Sequence, residues 1–167
     1  MKKIIVSAFG PFSDYKINSS ATVANLLRGI DLAGYRIVPV IFPANIPKSN
    51  EDRGKILFSK AVDCNAKAII SLGMASDCRG MRIEHFARNK IFNLKYCPPD
   101  LNGAVIDSAL SYDSVLPMNL NPWHSSEFAQ EALKIDVKVE FSADAGGFCC
   151  NHLAYQLARQ EQRVNYK

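Results

Sequence analysis

Short apolar runs separated by amphipathic segments fill the first half of the chain. The runs at 2–9, 35–42 and 67–72 are typical of buried strands, and glycine or proline follows or interrupts each of them. Residues 21–30 and 48–62 have apolar positions at helical spacing. Their predicted inward faces comprise Val23, Leu26, Leu27 and Ile30 in the first helix, and Ile56, Leu57 and Val62 in the second. Pro39 indicates that its strand lies at a sheet edge.

The second half is less regular but ends with a clear strand–turn–helix pattern. Its predicted elements are an extended strand at 82–92, a long loop at 93–120, a helix at 122–133, a strand at 137–141, a turn at 145–147 and a helix at 150–160. With the β-α-β-α-β order before it, this predicts a single α/β domain. Its sheet should be twisted and mostly parallel, with helices on both faces (α/β/α).

In such sheets, ligands bind beyond the carboxyl ends of the strands. The loops after Phe9 and after Leu72 are therefore the first places to expect a site.

Composition narrows the class of protein. The 167 residues are 48% hydrophobic and 22% charged with a net charge of +4, and the basic residues are scattered, so neither a nucleic-acid nor a membrane surface is indicated. No secretory signal or membrane-length apolar stretch is visible. The five cysteines form no CxxC pair, which argues against a disulfide framework or a zinc site and favours a reducing cytoplasm.

The segment 142–159 carries the clearest chemistry, because its glycine turn is followed by Cys149, Cys150 and a helix. The positive end of the helix dipole favours the thiolate form of a cysteine at a helix N-terminus. The backbone N–H groups there can also stabilise an oxyanion. The alternative from position alone is that both cysteines are small buried apolar residues.

The run Gly147–Leu153 (GFCCNHL) resembles the nucleophile segment of the cysteine-type pyroglutamyl peptidases, with Cys150 in the nucleophile's place. Two further segments resemble that family in the same chain order. Ala8–Phe12 followed by Ile17–Ser20 is similar to its first loop, although Ser19 stands where proline is usual. Leu72–Arg79 and Arg82–Asn89 are similar to its Gly-x-Ala…Arg segment and its glutamate strand.

The resemblance implies a cysteine peptidase that removes N-terminal pyroglutamyl residues from peptides by acyl transfer, with no metal or organic cofactor. Glu84 matches the glutamate that orients the catalytic histidine. Met74 matches a position whose backbone carbonyl holds the lactam N–H. The substrate's apolar walls would comprise Phe9, Phe12 and Phe148, with Cys149 beside them. For Phe9, plain core packing is the alternative. The resemblance also implies a homo-oligomer, a dimer or a tetramer.

The chain departs from the family pattern in two places. The family's histidine lies on the strand after the nucleophile helix, whereas no histidine follows His152 here, so 1–167 is expected to lack the family's C-terminal strand and helix. His85, His124 and His152 are each expected to have structural or surface roles. The oxyanion arginine of the family has Lys95 as its nearest match, and a solvated surface lysine is the alternative there.

Two rival functions come from other classes. A catalytically inactive relative would act as a module that binds pyroglutamyl or similar lactam ends. An unrelated doubly wound hydrolase or nucleotide binder is disfavoured, because neither a P-loop nor a GxGxxG motif is present.

Overall fold

The computed structural model describes residues 1–45, 51–89, 118–119 and 125–165. In chain order, the described elements are β1 (Lys2–Phe9), α1 (Ser19–Leu26), β2 (Asp31–Leu32), β3 (Tyr35–Phe42), α2 (Arg53–Asp63), β4 (Ala66–Ser71), β5 (Met81–Glu84), β6 (Phe86–Ala87), β7 (Met118–Asn119), α3 (Ser125–Leu133), β8 (Val139–Ser142) and α4 (Cys149–Asn165). Within these ranges, no helix is both long enough and apolar enough to cross a membrane.

Strand β1 lies at the centre of the main sheet, whose order is β2-β3-β1-β4. It pairs in parallel with β3 from Lys2↔Tyr35 to Phe9↔Phe42, and with β4 on its other side. The short β2 reaches only the first two residues of β3, so Pro39 has a described neighbour on the β1 side alone. A proline is accommodated there because the missing N–H falls on an unpaired edge, as the sequence predicted.

Side chains of β1 point alternately to the two faces of this sheet, so the strand contributes to a hydrophobic core on each face. Ile5 and Phe9 face one way and pack with Leu57 of α2 and Leu153 of α4. Val6 and Ala8 face the other way and pack with Ala24 of α1. Because successive strand residues point to opposite faces, one apolar strand serves both layers. The predicted α/β class, with helices on both faces of a mostly parallel sheet, is confirmed.

The remaining strands form two further pairs. β5 runs parallel to β8 with Glu84 opposite Ser142, and β6 pairs antiparallel with β7. Most of the predicted loop 93–120 lies outside the described residues, as do 46–50, 90–92 and 122–124. The loop prediction is wrong at Met118 and Asn119, since both form β7.

The predicted inward faces of α1 and α2 are partly wrong. Val23, Leu26 and Ile30 are all exposed, and so are Ile56 and Val62. As predicted, Leu57 is buried and Leu27, just after α1, is partly buried. The other residues on the core-facing side of each helix are small: Ser20 and Ala24 in the first, and Gly54 and Ala61 in the second. Close approach of a helix to its neighbour selects small side chains there, so hydrophobicity alone indicated the wrong face.

Gly54 sets the spacing between α2 and α4. Its backbone N–H donates to Gln156 Oε1 at 3.1 Å. A β-carbon at Gly54 would lie 2.4 Å from Gln156 Cβ and 2.6 Å from the Gln156 carbonyl carbon. The two helices therefore touch backbone to backbone at this point.

Replacing Gly54 with alanine should lower stability. Alanine gains up to about 1 kcal/mol in helix propensity. The overlap with backbone atoms that cannot rotate away should cost about 1–3 kcal/mol or more. Denaturant unfolding of Gly54→Ala measures the net effect, and Ser59→Ala on the exposed side of the same helix is the control. A Gly54→Ala protein as stable as wild type would contradict the close helix contact.

Candidate active site

The turn between β8 and α4 presents the two cysteines at the start of a helix. Asp144 accepts from the N–H of Gly146 at 3.0 Å, and its own N–H donates to Ser142 Oγ at 3.1 Å. Gly146 has a φ of 75°, a conformation that glycine adopts without strain. The chain then enters α4 at Cys149, so Cys150 lies in the first helical turn as predicted.

Gly73 approaches the Cys150 sulfur from the end of β4. The N–H of Leu72 donates to the Ser7 carbonyl at 2.8 Å, which carries the β1–β4 pairing up to this point. A β-carbon on Gly73 would lie 2.7 Å from Cys150 Sγ. The thiol therefore lies beyond the carboxyl ends of parallel strands, against a position that has no room for a side chain.

Glu84 ends β5 and faces the same region. Its Oε2 atom is buried and has no hydrogen-bond partner among the described residues. Its negative charge makes the smallest of the contributions to the pKa of Cys150 and opposes the lowering of that pKa. An unsatisfied buried carboxylate oxygen is costly, so it requires a role or a partner.

The two cysteines have pKa values displaced in opposite directions. Cys150 has a lowered pKa because the Cys149 thiol donates to its sulfur and its own backbone N–H does the same, which together outweigh burial and Glu84. Cys149 has a raised pKa because that hydrogen bond holds its proton, and burial adds to the effect. The thiolate form is therefore favoured at Cys150 rather than at Cys149, which holds its proton more strongly. All cysteines within the described residues are free.

The first loop is held to β1 by a polar network around Asn18. Asn18 accepts from the Ser20 N–H at 3.0 Å, which caps α1, and its Nδ2 donates to the Gly10 carbonyl at 2.9 Å. Ser20 Oγ accepts from the Phe9 N–H at 3.2 Å. The polar residues of this motif thus fix the chain leaving β1, where Phe12 is partly buried and stacks at 5.2 Å against Tyr15.

The other residues singled out from the sequence are dispersed around this region. Phe9 is 2% exposed and packs in the core beside Cys149, as the alternative reading of Phe9 anticipated. Phe148 is 36% exposed immediately before the cysteines. Met74 follows Gly73 and is partly buried. Lys95 lies outside the described residues.

The two histidines within the described residues, His85 and His152, lie in different environments. His85 packs edge-on against the exposed Phe141 at 5.4 Å. His152 is buried, and burial followed by the Arg53 charge lowers its pKa to about 4. His152 is thus neutral and weakly basic at physiological pH. His124 lies outside the described residues.

Arg53 is a buried cation near the site, and the sequence gave no reason to single this residue out. It is 2% exposed and pairs with Glu51 at 2.6 Å. Its Nη1 donates to the carbonyls of Pro43 and Asn45 at 2.8 and 2.9 Å, which fastens the chain after β3 to the start of α2. The charge also acts to lower the pKa of Cys149, but the hydrogen bond to Cys150 and burial outweigh it.

Two positions contribute more than the sequence suggested. Gly73 was quoted only as part of a motif, and its contact with Cys150 depends on two segments far apart in the chain. Asn151 was quoted only within the Gly147–Leu153 run, yet it is completely buried and bonded to the backbone of Arg88. Within the described ranges, no group of three His, Cys, Asp or Glu side chains could hold a metal ion.

A cysteine of lowered pKa at a helix N-terminus, beyond the carboxyl ends of parallel strands, is an arrangement typical of a cysteine-dependent hydrolase. Comparison with known proteins gives a narrower class. A model of the family described as pyroglutamyl peptidase matches residues 2–167. The chain therefore belongs to the pyroglutamyl peptidase family, and the family resemblance of the three motif segments is confirmed.

Individual relatives agree with this assignment. The pyrrolidone-carboxylate peptidase of Bacillus cytotoxicus is 28% identical over 162 residues, covering 94% of this chain and 70% of the relative. That of Oceanobacillus iheyensis is 26% identical over 164 residues, covering 96% and 76%.

Solved structures show the same fold. Bacillus amyloliquefaciens pyroglutamyl peptidase I superposes with a TM-score of 0.83 at 24% identity, covering 98% of this chain and 76% of that one. The Thermococcus litoralis pyrrolidone carboxyl peptidase gives 0.82 at 18% identity, covering 99% and 72%.

Replacing Cys149 with valine should move the reactivity of Cys150 to higher pH. Valine keeps the buried apolar volume but removes the S–H that stabilises the thiolate, so the pKa of Cys150 rises. The rate of iodoacetamide alkylation at Cys150, mapped by mass spectrometry against pH, measures the change. Cys78 beside Arg82 is the internal control. An unmoved or lower profile would refute the donor role of Cys149.

Replacing Gly73 with alanine should displace the thiol with little cost in stability. The Cys150 sulfur can leave the overlap by rotation about χ1, so unfolding free energy should change by less than about 1.5 kcal/mol. Thiol placement would shift by about 1 Å, and turnover should fall by roughly 10- to 100-fold. In Gly54→Ala the overlap is with the α4 backbone at Gln156 and not with the thiol, so that variant should lose mainly stability. Full activity in Gly73→Ala would argue against the contact seen with Cys150.

Proposed function

We propose that this protein is a cysteine peptidase that removes N-terminal pyroglutamyl residues from peptides, with Cys150 as nucleophile and Glu84 as the acidic member of its catalytic group. One observation carries the residue assignment. The Cys150 thiol lies at the N-terminus of α4 and against Gly73, and it feels the negative charge of Glu84, whose buried Oε2 has no described hydrogen-bond partner. Membership of the pyroglutamyl peptidase family supports the reaction.

The proposed reaction is acyl transfer in two steps. The Cys150 sulfur forms a bond to the pyroglutamyl carbonyl carbon, the amide C–N bond breaks, and the leaving amine takes a proton from the catalytic base. Water then attacks the thioester carbonyl and gives a proton to the same base, the C–S bond breaks, and pyroglutamate and the Cys150 thiolate are released. The lowered pKa of Cys150 supports its role, because the thiolate is the attacking species.

A histidine between Cys150 and Glu84 would complete the group. An imidazole N–H donated to Glu84 Oε2 would satisfy that buried oxygen and leave the other nitrogen for the thiol and the leaving amine. His152 is a poor candidate because burial, followed by the Arg53 charge, lowers its pKa to about 4 and makes it a weak base. We therefore infer that this histidine comes from outside the described residues. That 1–167 form one domain without the family's last strand and helix stays a prediction.

The substrate group is an uncharged five-membered lactam, which calls for apolar walls and a few polar partners. We propose that Phe12 and Phe148 supply exposed parts of these walls, with Phe9 and Cys149 behind them in the core. The Met74 carbonyl would accept from the lactam N–H. Lys95 as the oxyanion partner, a dimer or tetramer, and a cytoplasmic location all stay predictions.

The second candidate function is a module that binds the lactam ends of peptides without cutting them. In such a module Cys150 would have no chemical function. This candidate does not explain a thiol whose pKa is lowered by two donors. The family match also favours the peptidase. The two functions differ in one measurable respect, since both bind a pyroglutamyl peptide but only the peptidase releases its amine.

The test is release of a fluorescent amine from a pyroglutamyl amide. Wild-type protein should cleave it, and Cys150→Ala should lower turnover by at least about 10³-fold, because the nucleophile is lost. Glu84→Gln should also lower turnover strongly, with a smaller effect on KM. Cys64→Ala, which removes a thiol at the far end of α2, is the matched control and should retain activity.

Added imidazole tests the inferred base. If the assayed protein lacks the histidine, imidazole should raise the turnover of wild type and leave Cys150→Ala inactive. Unchanged turnover in Cys150→Ala would refute the nucleophile assignment. Tight binding of a pyroglutamyl peptide with no amine release, with or without imidazole, would favour the binding module.

A further inference from the structure

Asn151 follows the proposed nucleophile directly and is a completely buried polar residue. Its Oδ1 accepts from the Arg88 N–H at 2.8 Å, and its Nδ2 donates to the Arg88 carbonyl at 2.9 Å. One carboxamide thus pairs with both backbone groups of a single residue, as a neighbouring strand would. This bidentate contact fixes distance and orientation together, whereas one hydrogen bond would leave rotation free.

Arg88 lies four residues beyond Glu84, on the stretch that continues β5 through β6. The regular β5–β8 pairing reaches only as far as the His85 N–H, which donates to the Ser142 carbonyl at 2.8 Å. Beyond that point, Asn151 provides the next link from this stretch towards α4. The Arg88 side chain adds a weaker link, because its Nη2 donates to the Ala143 carbonyl at 3.2 Å.

We propose that Asn151 is a positioning residue, which holds the Cys150 thiol at a fixed separation from the Glu84 carboxylate by clamping the backbone of Arg88. The clamp joins the residue after the nucleophile to the chain segment that carries the acid. This inference rests on the proposed function for its catalytic consequence, although the clamp itself can be observed without turnover. Asn151 touches neither substrate nor thiol in this role and acts through the two groups it separates.

Asn151→Ala is the direct test, and Gln156→Ala is its matched control. Gln156 lies on the same helix and also bonds a backbone group of another element, the Gly54 N–H of α2, so its loss weakens α4 without releasing Arg88. Asn151→Ala should lower kcat by roughly 10- to 100-fold with KM within about twofold, because reacting groups are misplaced while the lactam walls remain. Gln156→Ala should keep both constants close to wild type.

Two readouts are independent of turnover. The Arg88 amide should exchange its hydrogen at least about tenfold faster in Asn151→Ala, because its acceptor is gone. The alkylation profile of Cys150 should move to lower pH, since Glu84 raises the pKa of that thiol and would no longer be held close. A variant that is merely less stable has no reason to make the thiol more acidic while losing kcat.

Unchanged Arg88 exchange and kcat in Asn151→Ala would overturn the proposal, as would equal losses in Gln156→Ala. If Asn151→Ala does not fold, Asn151→Asp keeps the acceptor for Arg88 and loses the donor. This variant should then show a lowered kcat. Its Arg88 amide should exchange faster than in wild type but more slowly than an unprotected amide. If wild-type protein binds a pyroglutamyl peptide but never cleaves it, the proposed function fails. Hydrogen exchange at the Arg88 amide and alkylation of Cys150 would still decide whether the clamp exists.

Discussion

The packing of α4 across the main sheet is the contact on which the site depends. Leu153 meets Ile5 of β1 and Leu57 of α2 in one buried cluster, which anchors the helix. With the helix axis fixed, its first turn is carried to the end of β4, and Cys150 reaches Gly73. The next residue along the helix then faces Arg88. Ordinary hydrophobic burial thus determines where a reactive sulfur and its neighbours meet.

Much of this arrangement could be predicted from the sequence. The apolar runs of β1, β3 and β4 identified the main sheet, and the glycine turn before Cys150 identified the start of α4. The buried faces of α1 and α2 were predicted less well, because Ala24 and Gly54 are selected by close approach rather than by hydrophobicity. The Asn151–Arg88 contact joins residues far apart in the chain, and no local pattern reports such a pairing.

Adjacent cysteines show how environment, rather than residue type, assigns chemical roles. Cys149 packs into the cluster containing Phe9 and has a raised pKa, while Cys150 receives two donors and has a lowered pKa. Neither role could be assigned to one thiol alone, because the proton held by the first stabilises the charge on the second. A helix start supplies the backbone donor in this pair, and the core supplies the neutral thiol.

The strand pairing described above has a consequence for local stability. Gly73 follows β4 of the four-stranded sheet, whereas Glu84 belongs to β5, which among the described strands pairs only with β8. Among the described residues, α4 spans the junction between the two, since Leu153 packs on Ile5 of β1 and Asn151 bonds the Arg88 backbone beyond β6. Such a junction opens at lower free-energy cost than a hydrogen-bonded ladder. On warming, the two sides of the site should therefore separate while the central strands are still intact.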